Sequence, residues 1–277
     1  MAIRREASGR SIRSRDSVGT YASIVQARDL AFTRVFVDQP TLIVLRHGIK
    51  TIRSGSDEWG LRDGEAIVLM GGRDYDFRNS PGTKGAYAAE WLFWDSALLA
   101  KHAALSVGPA GAAVGAQRLG AVGAQFLEAL DRARGALCDP DSVPVEVAAH
   151  RVTELLVWLS AFGVQLPVHV KPSLKTQVRR MVEADPAQKW STELVASRLT
   201  VSSTSLRRHL AAEGTTLGTL LIDTRMSLAV TLLQSTGAPI GSIALDLGYE
   251  SASRFAIRFR ERFGFPPTSI RGHLRGL

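Results

Sequence analysis

The strongest constraint on this chain is an internal duplication in its C-terminal third. Residues 191–199 read as a short helix with Glu193 in its first turn, where a carboxylate suits the helix dipole. Thr200 and Val201 break it, and Ser202 is a good N-cap for a second helix that runs to a stop at Gly214. Leu206 and Leu210, four apart, must face inward, which leaves Thr204, Arg208 and Ala211 on the opposite face and Arg207 on its flank. A short helix, a sharp turn and a helix with a polar outer face make a helix-turn-helix pattern. Ala196 is small where two crossing helices approach. The arrangement then returns: Ile240, Ile243, Ala244 and Leu247 have helical spacing, Gly248-Tyr249 breaks the helix, and Ser251 caps a new one that ends at Gly264. Phe255 and Phe259 take the inward places of Leu206 and Leu210. Ala196 to Ala244 is 48 residues and Ser202 to Ser251 is 49, so the second turn is one residue longer. One such unit arises by chance in many helical chains; two at a fixed offset are far more specific.

Residues 216–236 join the units as a long helix with Leu217, Leu221, Leu228 and Leu232 on one side. About 20 residues at ~1.5 Å each span ~30 Å, close to the ~34 Å between successive major-groove faces on one side of B-DNA. Arg225, in the middle of this helix, reads as structural, pairing with Asp246.

Charge is spread to match. The formal net charge is +8. Residues 170–277 hold 15 Lys and Arg against 8 Asp and Glu, whereas 1–169 hold 19 against 18. A basic C-terminal third on a near-neutral body is the footprint of a polyanion-binding module. Enzyme classes find little support. The six histidines are scattered, with only His47 in the β-rich part, so neither a metal site nor a cofactor is expected. Phosphate-loop, HExxH and GxSxG motifs are absent. The single cysteine, Cys138, excludes a disulfide framework and fits a reducing cytoplasm. No apolar run is long enough to span a membrane, the nearest, 97–116, being broken by Lys101, His102 and Pro109.

Upstream, residues 1–20 are Arg-rich and read as a disordered basic tail. Residues 21–105 carry short apolar runs punctuated by glycine: 41–45, 65–70 and the aromatic-rich 87–94. They predict a β-sandwich or barrel, either packed solid or enclosing a cavity for a small ligand. Residues 106–163 read as a helical region. An amphipathic helix is expected over 117–134, with Leu119, Val122, Phe126 and Leu130 on one stripe, and a second over 145–162. The pair packs on the β domain or joins a second subunit. Residues 164–172, with two prolines, are the expected linker, and 173–277 the DNA-binding domain, with its units at 192–213 and 240–263.

Several residues carry a family resemblance: the run 194–199, Ser202, Leu206, Arg208, Gly214, Arg225, Ala229, Leu232-Leu233, Ile243-Ala244, Leu247-Gly248-Tyr249, Ser251, Ser253, Phe255, Phe259, Phe263-Gly264, Pro267 and Arg271. On them the segment 173–274 resembles the DNA-binding domain of the AraC/XylS transcription regulators. The part before it is similar, less specifically, to that family's cupin-like β domain with dimerisation helices. The resemblance implies an α+β protein of two domains. It also implies a homodimer on double-stranded promoter DNA, contact with RNA polymerase, and activation controlled by a small effector in the N-terminal domain. Control by a protein partner, or an architectural DNA-binding role without an effector, stays open. The positions that would touch base edges and phosphates are Ser203, Thr204, Arg207 and Arg208 in the first unit and Ser253, Arg254, Ile257 and Arg258 in the second. Family members often have arginine where Ile257 stands, and isoleucine cannot make that charged contact.

Overall fold

Two apolar runs, 41–45 and 66–69, lack the alternation of a half-buried strand. The computed structural model gives the reason: both faces of each run are buried. It describes residues 11–83, 85–105, 115–164, 166 and 172–271. The strands are β1 (Ser11–Arg15), β2 (Gly19–Gln26), β3 (Leu30–Val37), β4 (Thr41–His47), β5 (Ile49–Ser54), β6 (Asp57–Leu61), β7 (Glu65–Leu69), β8 (Arg73–Ser80), β9 (Tyr87–Trp94) and β10 (Ala116–Ala121). They form two antiparallel sheets, ordered β1-β2-β9-β4-β7-β10 and β3-β8-β5-β6. The sheets stack as a sandwich and do not close into a barrel. Helices α1 (Ser96–Leu105), α2 (Ala124–Cys138) and α3 (Val145–Ala161) accompany them.

The larger sheet is the middle layer. Along β4, Leu42 and Val44 join Phe126, Leu130, Val152 and Leu155 of α2 and α3 on one side. Ile43 and Leu45 point the other way, into the core shared with Phe32, Ile52 and Phe77 of the smaller sheet. Strand β7 repeats the division, with Ala66 and Val68 under the helices and Ile67 and Leu69 between the sheets. Register holds the layers in step: Ile43 lies opposite both Ile67 and Trp91. The helix pair therefore packs on its own β domain.

Two expectations need correction. The basic leader is not a tail to residue 20, because 11–15 form β1, paired with β2 in register from Ser11↔Ser23 to Arg15↔Gly19. Arg15 also donates to the carbonyls of Ala136 (3.1 Å) and Val143 (2.6 Å), tying this edge strand to the α2–α3 connection. The helix expected over 117–134 starts only at Ala124. Leu119 and Val122 do pack against the helical layer, but from β10 and the residue after it. Gly120, at φ +74°, has a backbone no helix accepts, and Gly123 supplies the N-cap. Residues 106–114, and most of the linker expected at 164–172, lie outside the described residues.

The C-terminal part holds α4 (Leu174–Ala184), α5 (Thr192–Arg198), α6 (Ser203–Ala212), α7 (Leu217–Ser235), α8 (Ile240–Asp246), α9 (Ala252–Phe263) and α10 (Thr268–Arg271). The long helix α7 buries more than the single leucine side expected of it. Its buried apolar residues are Leu220, Met226, Ala229, Val230 and Leu233, with Asp223, Thr224, Ser227, Gln234 and Ser235 buried beside them, while Leu217, Leu221, Leu228 and Leu232 are half-buried. The difference follows from packing: α7 lies against α4 and against strands β2 and β3. One apolar cluster thus runs from the sandwich interior into α7, α8 and α9, and Phe32 of β3 meets Phe263 and Phe265 edge-on at 5.9 and 5.7 Å between ring centroids.

Candidate nucleic-acid interface and interdomain cavity

Each helix-turn-helix unit is built by the same local devices. In the first, the Ser191 hydroxyl accepts from the amide of Leu194 (3.2 Å) to start α5, and Ser202 accepts from Ser205 (3.1 Å) to start α6. Thr200 turns the chain at φ +56°. Val195 and Ala196 of α5 meet Leu206 and Leu210 of α6 in a core completed by Val178, Val182, Trp190 and Leu220. In the second, Ser251 accepts from the amide of Arg254 (3.2 Å) to start α9, and Phe255 and Phe259 are fully buried. Gly248 makes the turn at φ +78°, and a Cβ there would sit 2.9 Å from the Cα of Ala187 and 3.0 Å from the carbonyl oxygen of Pro186. Only glycine lets this turn press so closely on the loop before α5.

Burying those four residues turns the remaining faces of α6 and α9 outward. Thr204, Arg207 and Arg208 are exposed and Ser203 half-buried; Ser253, Arg254, Ile257 and Arg258 are all exposed. Each set therefore shares one helix face. The charges differ in their surroundings. Arg207 lies 3.9 Å from Glu193, both well exposed. Arg254 pairs with Glu250, and Arg258 with Glu261 at 3.0 Å. Ile257 is 59 % exposed in the middle of the α9 stripe.

Arg225 does not pair with Asp246 as expected. Its guanidinium donates to the carbonyls of Pro186 (2.9 Å) and Gln188 (3.1 Å), so it braces the 185–190 loop from beneath. Those acceptors are backbone groups, which residue types do not reveal.

The seam between the two parts is polar as well as apolar. Asp223 of α7, whose side chain is 10 % exposed, accepts from Arg262 of α9 and Arg34 of β3, each at 3.1 Å. Arg262, itself 11 % exposed, also donates to the hydroxyl and the carbonyl of Thr33, both at 2.7 Å. Burial holds its pKa below the usual guanidinium value. From α4, Arg179 pairs with Asp74 (2.8 Å) and lies over the Phe36 ring at 4.0 Å, and Arg180 pairs with Asp38 (3.0 Å). Near them Glu183 is pushed up to about 7, chiefly by burial and then by the Asp38 charge.

A cavity of about 30 Å³ sits at the same seam. Ile24, Phe32, Phe77, Trp91 and Phe93 line it from the sandwich, and Val230, Thr231, Gln234 and Ser235 from α7. Lys50 of β5 also lines it and is fully buried. Its ammonium donates to the side-chain oxygen of Asn79 (2.8 Å) and lies 4.4 Å from the Phe77 ring centroid and 4.9 Å from that of Trp91. Among the described residues that line it, none is a carboxylate. Burial alone lowers the Lys50 pKa to about 7. The buried indole N–H of Trp91 has no hydrogen-bond partner among the described residues. The cavity as it stands has room for about one or two waters. It therefore offers a cation and a spare donor to an anion, in a space that must widen before anything larger enters.

Sequence reasoning passed over Lys50, although a signal was there. In β5 the side chains alternate, and Lys50 is in phase with fully buried Ile52, while Ile49 is 49 % exposed. A lysine on the inward phase of a strand is a buried lysine. The Asp223 cluster left no such trace, because its members are 189 and 39 residues apart along the chain.

Comparison with known proteins agrees with this architecture. A family model described as a helix-turn-helix domain matches residues 195–273. Among curated relatives, the ornithine utilization regulator of Pseudomonas aeruginosa is 40 % identical over 102 residues, covering 37 % of this chain and 30 % of that protein. Transcriptional regulator SirC of Salmonella typhimurium is 34 % identical over 101 residues, 36 % of this chain and 34 % of its own length. HTH-type transcriptional activator CsvR of Escherichia coli is 32 % identical over 100 residues, 36 % of this chain and 38 % of its own. The match thus spans about a third of each of these relatives. Over nearly the whole chain the fold is that of ToxT from Vibrio cholerae. The structure of wild-type ToxT with unsaturated fatty acid bound covers 96 % of this chain and 99 % of its own, with a TM-score of 0.66 at 12 % sequence identity.

Proposed function

From the premise that this chain, through its C-terminal helix-turn-helix domain, belongs to the AraC/XylS family of transcription regulators, we propose that it binds promoter DNA in a sequence-specific way and answers to a small effector. The carrying observation is the pair of units on α7. Two outward polar stripes, on α6 and α9, are joined by a helix of 19 residues, about 28 Å long. That spacing suits two major-groove segments about one turn apart. Ser203, Thr204, Arg207 and Arg208 face one segment; Ser253, Arg254, Ile257 and Arg258 face the other. Arginine serves guanine acceptors or phosphates, and the hydroxyls make short base or phosphate contacts. The protein acts from the cytoplasm as a homodimer that activates transcription by contacting RNA polymerase, a sign in keeping with the activator named among its relatives.

The test is a gel-shift titration with the full chain on duplexes selected from a random-sequence pool. A common sequence should emerge, and affinity for it should fall steeply with added salt. Arg208→Ala should weaken specific binding by about 1–3 kcal/mol, the worth of one paired base contact. Equal affinity for wild type and variant would remove Arg208 from the interface. A protein that holds every sequence equally would be architectural and not a regulator.

The effector reading rests on the seam cavity. A carboxylate seated on the Lys50 ammonium and the Trp91 indole N–H would supply the charge partner that Lys50 lacks among the described residues, and an apolar tail would follow Phe77 and Phe93. That the similarly folded ToxT is described with an unsaturated fatty acid bound favours an amphipathic carboxylate. Because α7 forms one wall, a ligand that widens the cavity pushes on the helix that spaces the two units. Thermal-shift measurements with straight-chain carboxylates of increasing length should show stabilisation that Lys50→Met abolishes. No response from the wild-type protein to any of them, alongside a shift with a protein extract, would favour control by a protein partner.

A further inference from the structure

The two recognition helices are equivalent in build but not in chemistry. Setting Ser202 on Ser251, the two N-caps, places Leu206 on Phe255 and Leu210 on Phe259, which are the buried pairs. The same alignment places Thr204 on Ser253 and Arg208 on Ile257. The residue in the middle of each outward stripe is thus a guanidinium in one unit and a β-branched hydrocarbon in the other.

Ile257 gains nothing visible from its position. It is 59 % exposed, so it adds little to the core. Branching at Cβ makes it a poorer helix former than the residues that usually fill an exposed face. Single exposed apolar side chains are ordinary on protein surfaces. This one, however, stands between Arg254 and Arg258, which are drawn into pairs with Glu250, just before the helix, and with Glu261, one turn further along it. The isoleucine therefore projects from the centre of the stripe. A guanidinium there would address the acceptors of guanine. The one apolar group that a base pair presents in the major groove is the C5-methyl of thymine.

Resting on the DNA-binding reading above, we infer that Ile257 is a specificity-determining residue that reads a thymine methyl group. The first unit then selects its segment by hydrogen bonds from Arg208, and the second by apolar contact. A methyl group buried against isoleucine is worth about 0.8 kcal/mol, or roughly a fourfold change in affinity.

The experiment uses the full chain and the duplexes selected above. In the segment contacted by α9, each thymine is replaced in turn by uracil, which removes only the methyl. Wild-type binding should weaken about fourfold at one or two positions. Ile257→Ala should bind the thymine and uracil duplexes alike at those positions. Ile257→Arg should shift the preferred base there to guanine, while the segment read by α6 keeps its preference. Wild-type indifference to uracil at every position, or a methyl effect that survives in Ile257→Ala, would overturn the assignment and leave the regulator reading intact. Failure of any common sequence to emerge from selection would overturn both.

Discussion

Replacing Lys50 by methionine should stabilise the ligand-free protein at pH 7 and flatten its stability profile between pH 7 and about 10. The sign follows from proton counting. Unfolded, Lys50 holds its proton up to the ordinary lysine value of 10.5; folded, burial lets it go at about 7. Between those values the unfolded chain binds more protons, so stability rises with pH, by at most about 1.4 kcal/mol per pH unit. Below pH 7 the lysine is charged in both states and the burial cost is present in full. Methionine has similar length, carries no charge, and keeps contact with Phe77 and Trp91. Its drawback is Asn79, whose side-chain oxygen loses the Lys50 donor and stays buried, at a cost of about 1–3 kcal/mol. Several kcal/mol of charge burial outweigh that loss. Glu183 does not blur the result. Its folded value is raised from 4.5 to about 7, so its contribution falls as pH rises through that lower window and is constant above it. Urea denaturation at half-unit pH steps reads both slopes. A rise between pH 7 and 10 that persists undiminished in Lys50→Met would show that another group titrates there.

Asp223→Ala carries the second large effect, a loss of about 3–5 kcal/mol, the range found when one partner of a buried ion pair is deleted. Asp223 is the carboxylate shared by Arg262 and Arg34, and without it two guanidinium groups face each other at the seam. Arg34 is 57 % exposed and can turn to water; Arg262 cannot. The loss should therefore be recovered in large part by adding Arg262→Met, which removes the stranded charge. Adding Arg34→Met should recover much less. Beyond stability, Asp223→Ala should speed amide hydrogen exchange along β3 and α9, which the cluster links, more than along α5 and α6. Equal destabilisation by Asp223→Ala with and without Arg262→Met would contradict this account of the cluster.

How far the sequence discloses the structure depends on how local the determining interactions are. The helix-turn-helix units were legible because everything that builds them lies within about 25 residues: a serine cap, two inward side chains four apart, and a glycine stop. The residues expected to face DNA could be placed by the same helical wheel, since burial of Leu206, Leu210, Phe255 and Phe259 leaves one face free. The β domain was legible as a class. The continuous runs in β4 and β7 concealed that a helical layer covers one sheet, because burial on two faces erases the period-two signal. The 119–126 stretch misled for a related reason. Apolar residues three and four apart can belong to a helix, or to an edge strand followed by a helix, and only the left-handed glycine at 120 separates the two. What joins the halves was out of reach. Asp223 meets Arg34, Gln234 meets Gln26, and Arg262 meets Thr33 across 189 to 229 residues of chain. No periodicity reports such contacts.

Those contacts also give the regulatory reading its physical content. Helix α7 is at once the spacer between the two units, a wall of the Lys50 cavity and the anchor of the Asp223 cluster. A change in cavity size is therefore a change in how α7 sits on the sandwich, and in how α9 is held. By contrast, α6 packs on α4, α5 and α7 within its own core. Among the described residues, α9 is the recognition helix that hydrogen-bonds the N-terminal domain, through Arg262, whereas the first unit's core is tied to it through Arg179 and Arg180 of α4.

On the function proposed above, two unequal helix-turn-helix units joined by one helix read adjacent segments of the same duplex. Footprinting of the full chain on a selected duplex, with guanine N7 methylation and thymine oxidation as major-groove probes, tests it most directly. Two protected segments on one side of the duplex, centred about one helical turn apart, should appear, with guanine protection concentrated in one and thymine protection in the other. In Arg208→Ala the guanine-protected segment alone should fade. Uniform protection along the duplex, or a single protected segment that either unit's variants abolish equally, would contradict it.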